Sequence, residues 1–276
     1  MTAELELAGL VALGFAVGTF GTIIGLGGGF ILVPMLLLMY PSYDPERFTA
    51  ISLAVVCANT ISGSLAYARQ GRIDYITGGI FALASAPGVM AGVLLVHLMP
   101  ERAFTIVFAL LLFALALVAL RGPPRGIRAP LSGKGVIVRS LATPEGTYRY
   151  RYRIWQGVVL SLAVGLVSSL FGIGGGAVYV PAMIAFLHFP VQFAVATSQF
   201  ILVFMSGGGT ILHLANATLS GDQLAKTAAL AGGTIPGAQV GAWLARGMKG
   251  STIVRLLVAA LLVISARLLV KGITGA

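Results

Sequence analysis

The sequence predicts an all-α polytopic membrane protein made of two repeats. Three observations carry that prediction: an apolar composition, a series of apolar runs parted by short polar turns, and one glycine-rich stretch written twice. Hydrophobic residues make up 58% of the chain and charged residues 9%, with a mean hydropathy of +0.97. That is too apolar for an ordinary soluble domain. Several uncharged runs reach the roughly 20 residues a helix needs to cross a bilayer core of about 30 Å. The short alternating segments of a membrane barrel are absent, so helices are expected.

In order, apolar runs cover about 5–24, 29–40, 48–68, 75–98 and 103–120 and, after a connector, about 154–171, 176–189, 192–215, 223–245 and 251–270. Each half thus holds four long runs and one short one, giving eight long and two short segments. The short run always comes second. It follows Gly25-Leu26-Gly27-Gly28-Gly29 in the first half and Gly172-Ile173-Gly174-Gly175-Gly176 in the second, and each leads to a proline, Pro34 or Pro181. Ile51-Ser52 then matches Thr197-Ser198, and Pro87-Gly88-x-x-x-Gly92 matches Pro236-Gly237-x-x-x-Gly241. Three matches in the same order mark an internal duplication. The expected organisation is a first membrane repeat over 1–121, a basic connector over 122–153 and a second repeat over 154–276.

Charge sets the expected orientation. The net charge is +10, and eight of the 18 basic residues fall between Arg121 and Arg153. Such clustering marks a cytoplasmic loop, and without a recognisable binding module it does not point to nucleic acid. Counting outward puts Arg69, Arg72, Arg246 and Lys249 inside and the N-terminus, with Glu4 and Glu6, outside. This count needs each long-plus-short pair to return to the side it entered from, so the second half is expected to be inverted relative to the first. Whether the short segments cross fully or re-enter is open at this stage, and Arg267 and Lys271 near the external end count mildly against the orientation. The acidic N-terminus does not resemble a cleaved signal peptide. Tyr148, Tyr150, Tyr152 and Trp155 beside Arg149, Arg151 and Arg153 read as an interfacial anchor.

The glycine clusters are the candidate site. Glycine admits positive φ, which breaks a helix and leaves amides without helical partners. Two inverted breaks near mid-membrane would aim the positive ends of the short helices at a common point, an anion site without a buried arginine. The candidate substrate-binding residues are Gly27, Gly28, Gly29, Ser52, Asn59, Gly174, Gly175, Gly176, Thr197, Ser198 and Gln199. The competing reading of the glycines is close helix packing, and of the hydroxyls a bond back to their own helix. His213, near the end of its run, is the candidate carrier of a coupling proton. Pro87 and Pro236 are candidate hinges, or else sites of close packing.

Absences narrow the class. Asp and Glu do not occur deep in the apolar runs, which weakens a sodium or metal site and an acidic relay. Cys57 is the one cysteine, so disulfides within the chain and cysteine metal clusters are excluded. Nucleotide, zinc-protease and serine-nucleophile motifs are missing. Neither a cofactor nor a metal nor enzymatic activity is expected.

The paired Gly-x-Gly-Gly-Gly clusters with Pro34 and Pro181, the Thr197-Ser198 step and the repeated Pro-Gly resemble the TauE/SafE family of membrane transport proteins across nearly the whole chain outside the connector. That resemblance implies a secondary transporter, an exporter, of small sulfur-containing anions such as sulfite, sulfoacetate or related organosulfonates in the bacterial inner membrane. Ile51 departs from the pattern seen at Thr197. The expected partners are a small anion, the lipid bilayer and a proton as coupling ion, and a second copy of the chain is compatible with the sequence. A passive anion channel and a non-transporting scaffold subunit are the alternatives.

Overall fold

The computed structural model describes residues 3–40, 43–121, 135–143, 146–216, 218–219 and 221–274. The first half holds α1 (Ala3–Ile23), α2 (Gly29–Met39), α3 (Pro45–Arg69), α4 (Tyr75–Val96) and α5 (Glu101–Arg121). The second holds α6 (Ile154–Phe171), α7 (Gly176–Ala185), α8 (Val191–Ala215), α9 (Asp222–Arg246) and α10 (Gly250–Thr274). Seven of the eight long helices are long and apolar enough to cross a membrane. The eighth, α9, carries Lys226, Thr227, Thr234 and Gln239, which dilute its apolar run.

Each half breaks at the same three glycine positions. Gly25, Gly27 and Gly28 have φ of 78°, 71° and 86°; Gly172, Gly174 and Gly175 have 66°, 72° and 91°. A side chain would be strained at each of these angles. Gly172 ends α6 as a left-handed cap, and Gly28 and Gly175 open α2 and α7. The short helix α2 doubles back along α1. At 11 residues α2 rises about 16 Å, half the core thickness. It starts where Gly28 lies against Val17, in the C-terminal third of α1. It ends where Tyr40 Oη donates to Glu6 Oε1 at 2.6 Å, back at the start of α1.

The packing of one half recurs in the other with partners exchanged. Helix α1 lies along α9 as α6 lies along α4; α3 meets α9 as α8 meets α4; α3 meets α8, and α5 meets α10. The Pro-Gly steps sit in these contacts. A Cβ on Gly88 would stand 2.2 Å from the Leu162 carbonyl oxygen, and one on Gly237 2.4 Å from that of Phe15. Both α4 and α9 continue as helix through Pro87 and Pro236.

The helix ends gather into two faces. Glu6, Tyr40, Tyr43, Glu46, Thr218 and Lys226 meet at one, the N-terminal face. Lys271 joins them there, 3.5 Å from Glu101 and donating to the Leu37 carbonyl. At the other face, Gln192 on α8 reaches the Met248 carbonyl and Gln70 that of Ala242.

The connector departs from the expectation of a solvated loop. Its second part folds as an antiparallel hairpin, β1 (Val136–Thr143) with β2 (Gly146–Arg153), running straight into α6. Alternation along β2 turns Tyr150 and Tyr152 to one side, and both are buried in the protein. The expected interfacial anchor is corrected accordingly: of its four aromatics Trp155 is exposed, Tyr150 and Tyr152 are core, and the Tyr148 and Arg149 side chains lie outside the described ones.

Candidate functional site

The two glycine breaks touch through their backbones. A Cβ on Gly29 would stand 2.7 Å from the Gly172 carbonyl oxygen and 2.9 Å from Ile173 Cα; one on Gly176 would stand 2.4 Å from Leu26 Cα and 2.6 Å from the Gly25 carbonyl oxygen. Gly27, Gly28, Gly174 and Gly175 complete the same buried layer. Their meeting point is apolar. Val56 on α3 stands against Gly27, Gly29 and Gly174, and Leu202 on α8 against Gly27.

The serines of the candidate shell bind backbone carbonyls of the breaks. Ser52 Oγ donates to the Gly172 carbonyl at 2.6 Å, and Ser198 Oγ lies 2.9 Å from the carbonyls of both Gly25 and Val195. Each serine thus holds the opposite half's break by its first carbonyl, and its hydrogen is already engaged. Replacing Ser52 with alanine leaves the Gly172 carbonyl without that donor and is expected to cost about 1–3 kcal/mol. Unfolding in detergent reads this directly, and an unchanged free energy would refute the bond's structural role.

Thr197, by contrast, bonds away from the breaks, its Oγ1 accepting the Asp74 amide at 3.1 Å where α4 begins. Asn59 and Gln199 gather beside α1. Thr22 Oγ1 donates to Asn59 Oδ1 at 3.2 Å, and Gln199 Nε2 lies 3.5 Å from the Gly21 carbonyl. Asn59 Nδ2, Gln199 Oε1 and Thr19 Oγ1 are buried without partners, and such groups call for a ligand or water. His213 is fully buried, with neither ring nitrogen hydrogen-bonded and Nδ1 4.0 Å from Glu46 Oε1. Glu46 in turn accepts from Thr218 at 2.9 Å.

Sequence reasoning missed a polar closure at each face. At the hairpin face the fully buried carboxylate of Asp74 caps α4 through the Thr77 amide. It receives Arg139 in a two-pronged pair, Nη2 to Oδ1 at 2.7 Å and Nε to Oδ2 at 3.0 Å. Thr77 Oγ1 and Tyr150 Oη also donate to Oδ2, at 2.6 and 2.5 Å. Burial by itself would raise this carboxyl, but the bonds from Arg139, Thr77 and Tyr150 outweigh it and hold it below the ordinary value of 3.8. Burial, and then the Asp74 carboxylate, pushes the Tyr150 hydroxyl upward, so it stays a donor. Around this pair Tyr150 meets Phe189 with ring centroids 4.2 Å apart, and Tyr152 meets Phe81 at 5.9 Å. The hairpin is thereby wedged between the start of α4 and the α7–α8 turn.

A matching closure stands at the N-terminal face. Lys226 Nζ lies 3.4 Å from Glu6 Oε1, 3.3 Å from Tyr43 Oη and 4.1 Å from the Tyr40 ring centroid. Cation, carboxylate and aromatic ring again sit together. Among the described residues no group of three or more His, Cys, Asp or Glu side chains could hold a metal. An apolar cavity of about 470 Å³, lined by Ala82, Ser85, Val89, Phe204, Met205 and Gly208, lies between α4 and α8.

Comparison with known proteins matches residues 10–268 to the family described as "Sulfite exporter TauE/SafE". The chain is 33% identical over 272 residues to the "Probable membrane transporter protein YunE" of Bacillus subtilis, covering 96% of this chain and 97% of that one. It is 28% identical over 212 residues to the "Probable membrane transporter protein MJ0441" of Methanocaldococcus jannaschii, covering 74% and 71%. No solved structure matches the chain.

Proposed function

Because this chain belongs to the TauE/SafE family of membrane transport proteins, we propose that it is a secondary transporter exporting small sulfur-containing oxyanions, such as sulfite or an organosulfonate, by alternating access. The observation that carries this reading is the pair of closures: a cation-carboxylate-aromatic cluster stands at each of the two faces, with the paired helix breaks between the halves. Alternating access needs two gates that open in turn around one site. Ion pairs ringed by aromatics are gates of a suitable kind, because each is held by a few separable contacts. An open channel needs neither.

The exchange of packing partners between the halves fits an inverted repeat, in which the hairpin face of one half corresponds to the N-terminal face of the other. The hairpin face is the cytoplasmic one in this reading, since it carries Arg69, Arg72, Arg246 and Lys249 along with the basic connector. Lys271, which weighed against that orientation, is engaged by Glu101. The coupling ion is a proton and His213 its carrier, paired across 4.0 Å with Glu46. Amides of the glycine breaks take the anion, with Asn59 and Gln199 as the uncharged side chains still holding unpaired polar atoms.

The test is thermal unfolding of the purified protein with sulfite, sulfoacetate, taurine and sulfate. A binding anion at 100 times its Kd adds about 2.7 kcal/mol of stability, a shift that is easily read. Absence of stabilisation by every anion at millimolar concentration would defeat the proposal. Flux that rises linearly with concentration in liposomes would identify a channel instead.

A further inference from the structure

We propose that the substrate's oxyanion is held at one of the two breaks, the start of α7, and that Ser168 on α6 is the side chain that completes its shell. This deepens the reading of the chain as an oxyanion transporter and rests on it.

The two breaks share a backbone path but not a lining. In both, the amides that open the short helix find no acceptor among the described residues: those of Gly27, Gly28, Gly29 and Phe30 in one half, and of Gly174, Gly175, Gly176 and Ala177 in the other. What faces them differs. At α2 the neighbour on α1 is Gly21, and a Cβ there would stand 2.4 Å from the Gly28 nitrogen; Val17 closes the other side. Backbone and apolar side chain therefore cover that helix end. At α7 the corresponding residue is Ser168, whose Oγ lies 3.2 Å from the Cβ position of Gly175. Ser168 is fully buried, and its hydroxyl is without a hydrogen-bond partner.

A buried hydroxyl with nothing to bind is costly unless a ligand satisfies it. Here it stands beside the positive end of a helix, where four amides also lack partners. An oxyanion satisfies all of them together: the amides and the hydroxyl donate, and the negative charge meets the helix dipole. The next residue, Ser169, brings a second buried unpaired hydroxyl to the same turn of α6. Tyr179, one turn along α7 toward the hairpin face, adds a buried hydroxyl beside Ser161 and stacks on Phe81, which meets Tyr152 of the hairpin. Polar groups thus line the way from the hairpin closure to Gly175.

Room for the anion comes from Met205. Its Cε stands 2.9 Å from the Cβ position of Gly175, covering the helix end, while the same side chain lines the apolar cavity between α4 and α8. Methionine is unbranched and turns easily. By withdrawing into that cavity it uncovers α7.

The experiment compares the parent protein with Ser168→Ala and Ser168→Cys, titrating sulfite with thermal unfolding and calorimetry as readouts. Both variants are expected to weaken sulfite binding by roughly tenfold, the loss of one hydrogen bond to an anion. They are also expected to melt with the parent when no anion is present, because the Ser168 hydroxyl makes no bond in the protein. Ser265→Ala, which removes a buried hydroxyl bonded to the Ala109 carbonyl, is the reverse: a lower melting temperature with sulfite affinity unchanged. If the parent binds sulfite and both Ser168 variants bind equally well, the assignment to α7 falls and the transporter reading stands. If the parent binds none of the oxyanions tried, both fall.

Discussion

Replacing Gly176 with alanine is expected to destabilise the protein by about 3 kcal/mol, the upper range for forcing atoms into a packed core, and to abolish transport. The added methyl would meet Leu26 Cα at 2.4 Å and the Gly25 carbonyl oxygen at 2.6 Å, both backbone atoms that no rotamer change can move. Relief requires the two breaks to part. Since Ser52 and Ser198 tie each break to the helix that crosses it from the other half, the strain spreads through α3 and α8 as well. Gly232→Ala is the contrasting change. It also lies within a helix, but a Cβ there meets nothing within 4 Å, so alanine should be neutral or stabilising by up to about 1 kcal/mol. Unfolding in detergent and flux in liposomes, measured on both, decide the matter. If Gly176→Ala melts with the parent, the breaks are not in contact.

The second large effect is expected at the hairpin. Arg139→Ala leaves the Asp74 carboxylate fully buried with its counter-charge removed, and breaking such a pair from one side costs about 3–5 kcal/mol. The hairpin bears that loss, because Arg139 and Tyr150 are its hold on α4. Faster amide exchange across β1 and β2, and faster tryptic cleavage after Arg151 and Arg153, are the expected readouts. Exchange at the parent's rate would refute the closure. Acid acts on the same pair with a definite sign. The Asp74 carboxyl is held below 3.8 when the hairpin is docked, so its contribution is present above that value. It disappears as pH falls through the depressed value. Docking should therefore be insensitive to pH around neutrality and fail only in strong acid. Within the proposed cycle, Arg139→Ala should also leak substrate from the hairpin side.

Much of this protein was legible in the residues alone. Apolar length fixes the number of long and short segments, because a bilayer leaves a helix few alternatives. The glycine positions were readable for a like reason: Gly25, Gly27 and Gly28, and Gly172, Gly174 and Gly175, adopt angles at which a side chain would be strained. That α2 doubles back along α1 was not readable, since a short apolar run is compatible with either course until Tyr40 is seen against Glu6. The hairpin was hidden by its own composition. Arginines along β2 read as a solvated loop, and the tyrosines between them as an interfacial belt, because the sequence does not reveal that Asp74 waits beneath.

Roles within the site were legible only by residue type. Serine and threonine in an apolar run announce a polar need, yet they do not say whether a ligand or the backbone answers it. Ser52 and Ser198 turn out to be answered by carbonyls 120 and 173 residues away. Ser168, unremarkable in sequence, is left unanswered at the start of α7. Sequence alone determined the membrane-crossing helices and the two breaks, which depend on hydrophobic length and on backbone angles local to a few residues. Tertiary structure decided which buried donors remain free, because that depends on partners brought together from opposite halves of the chain.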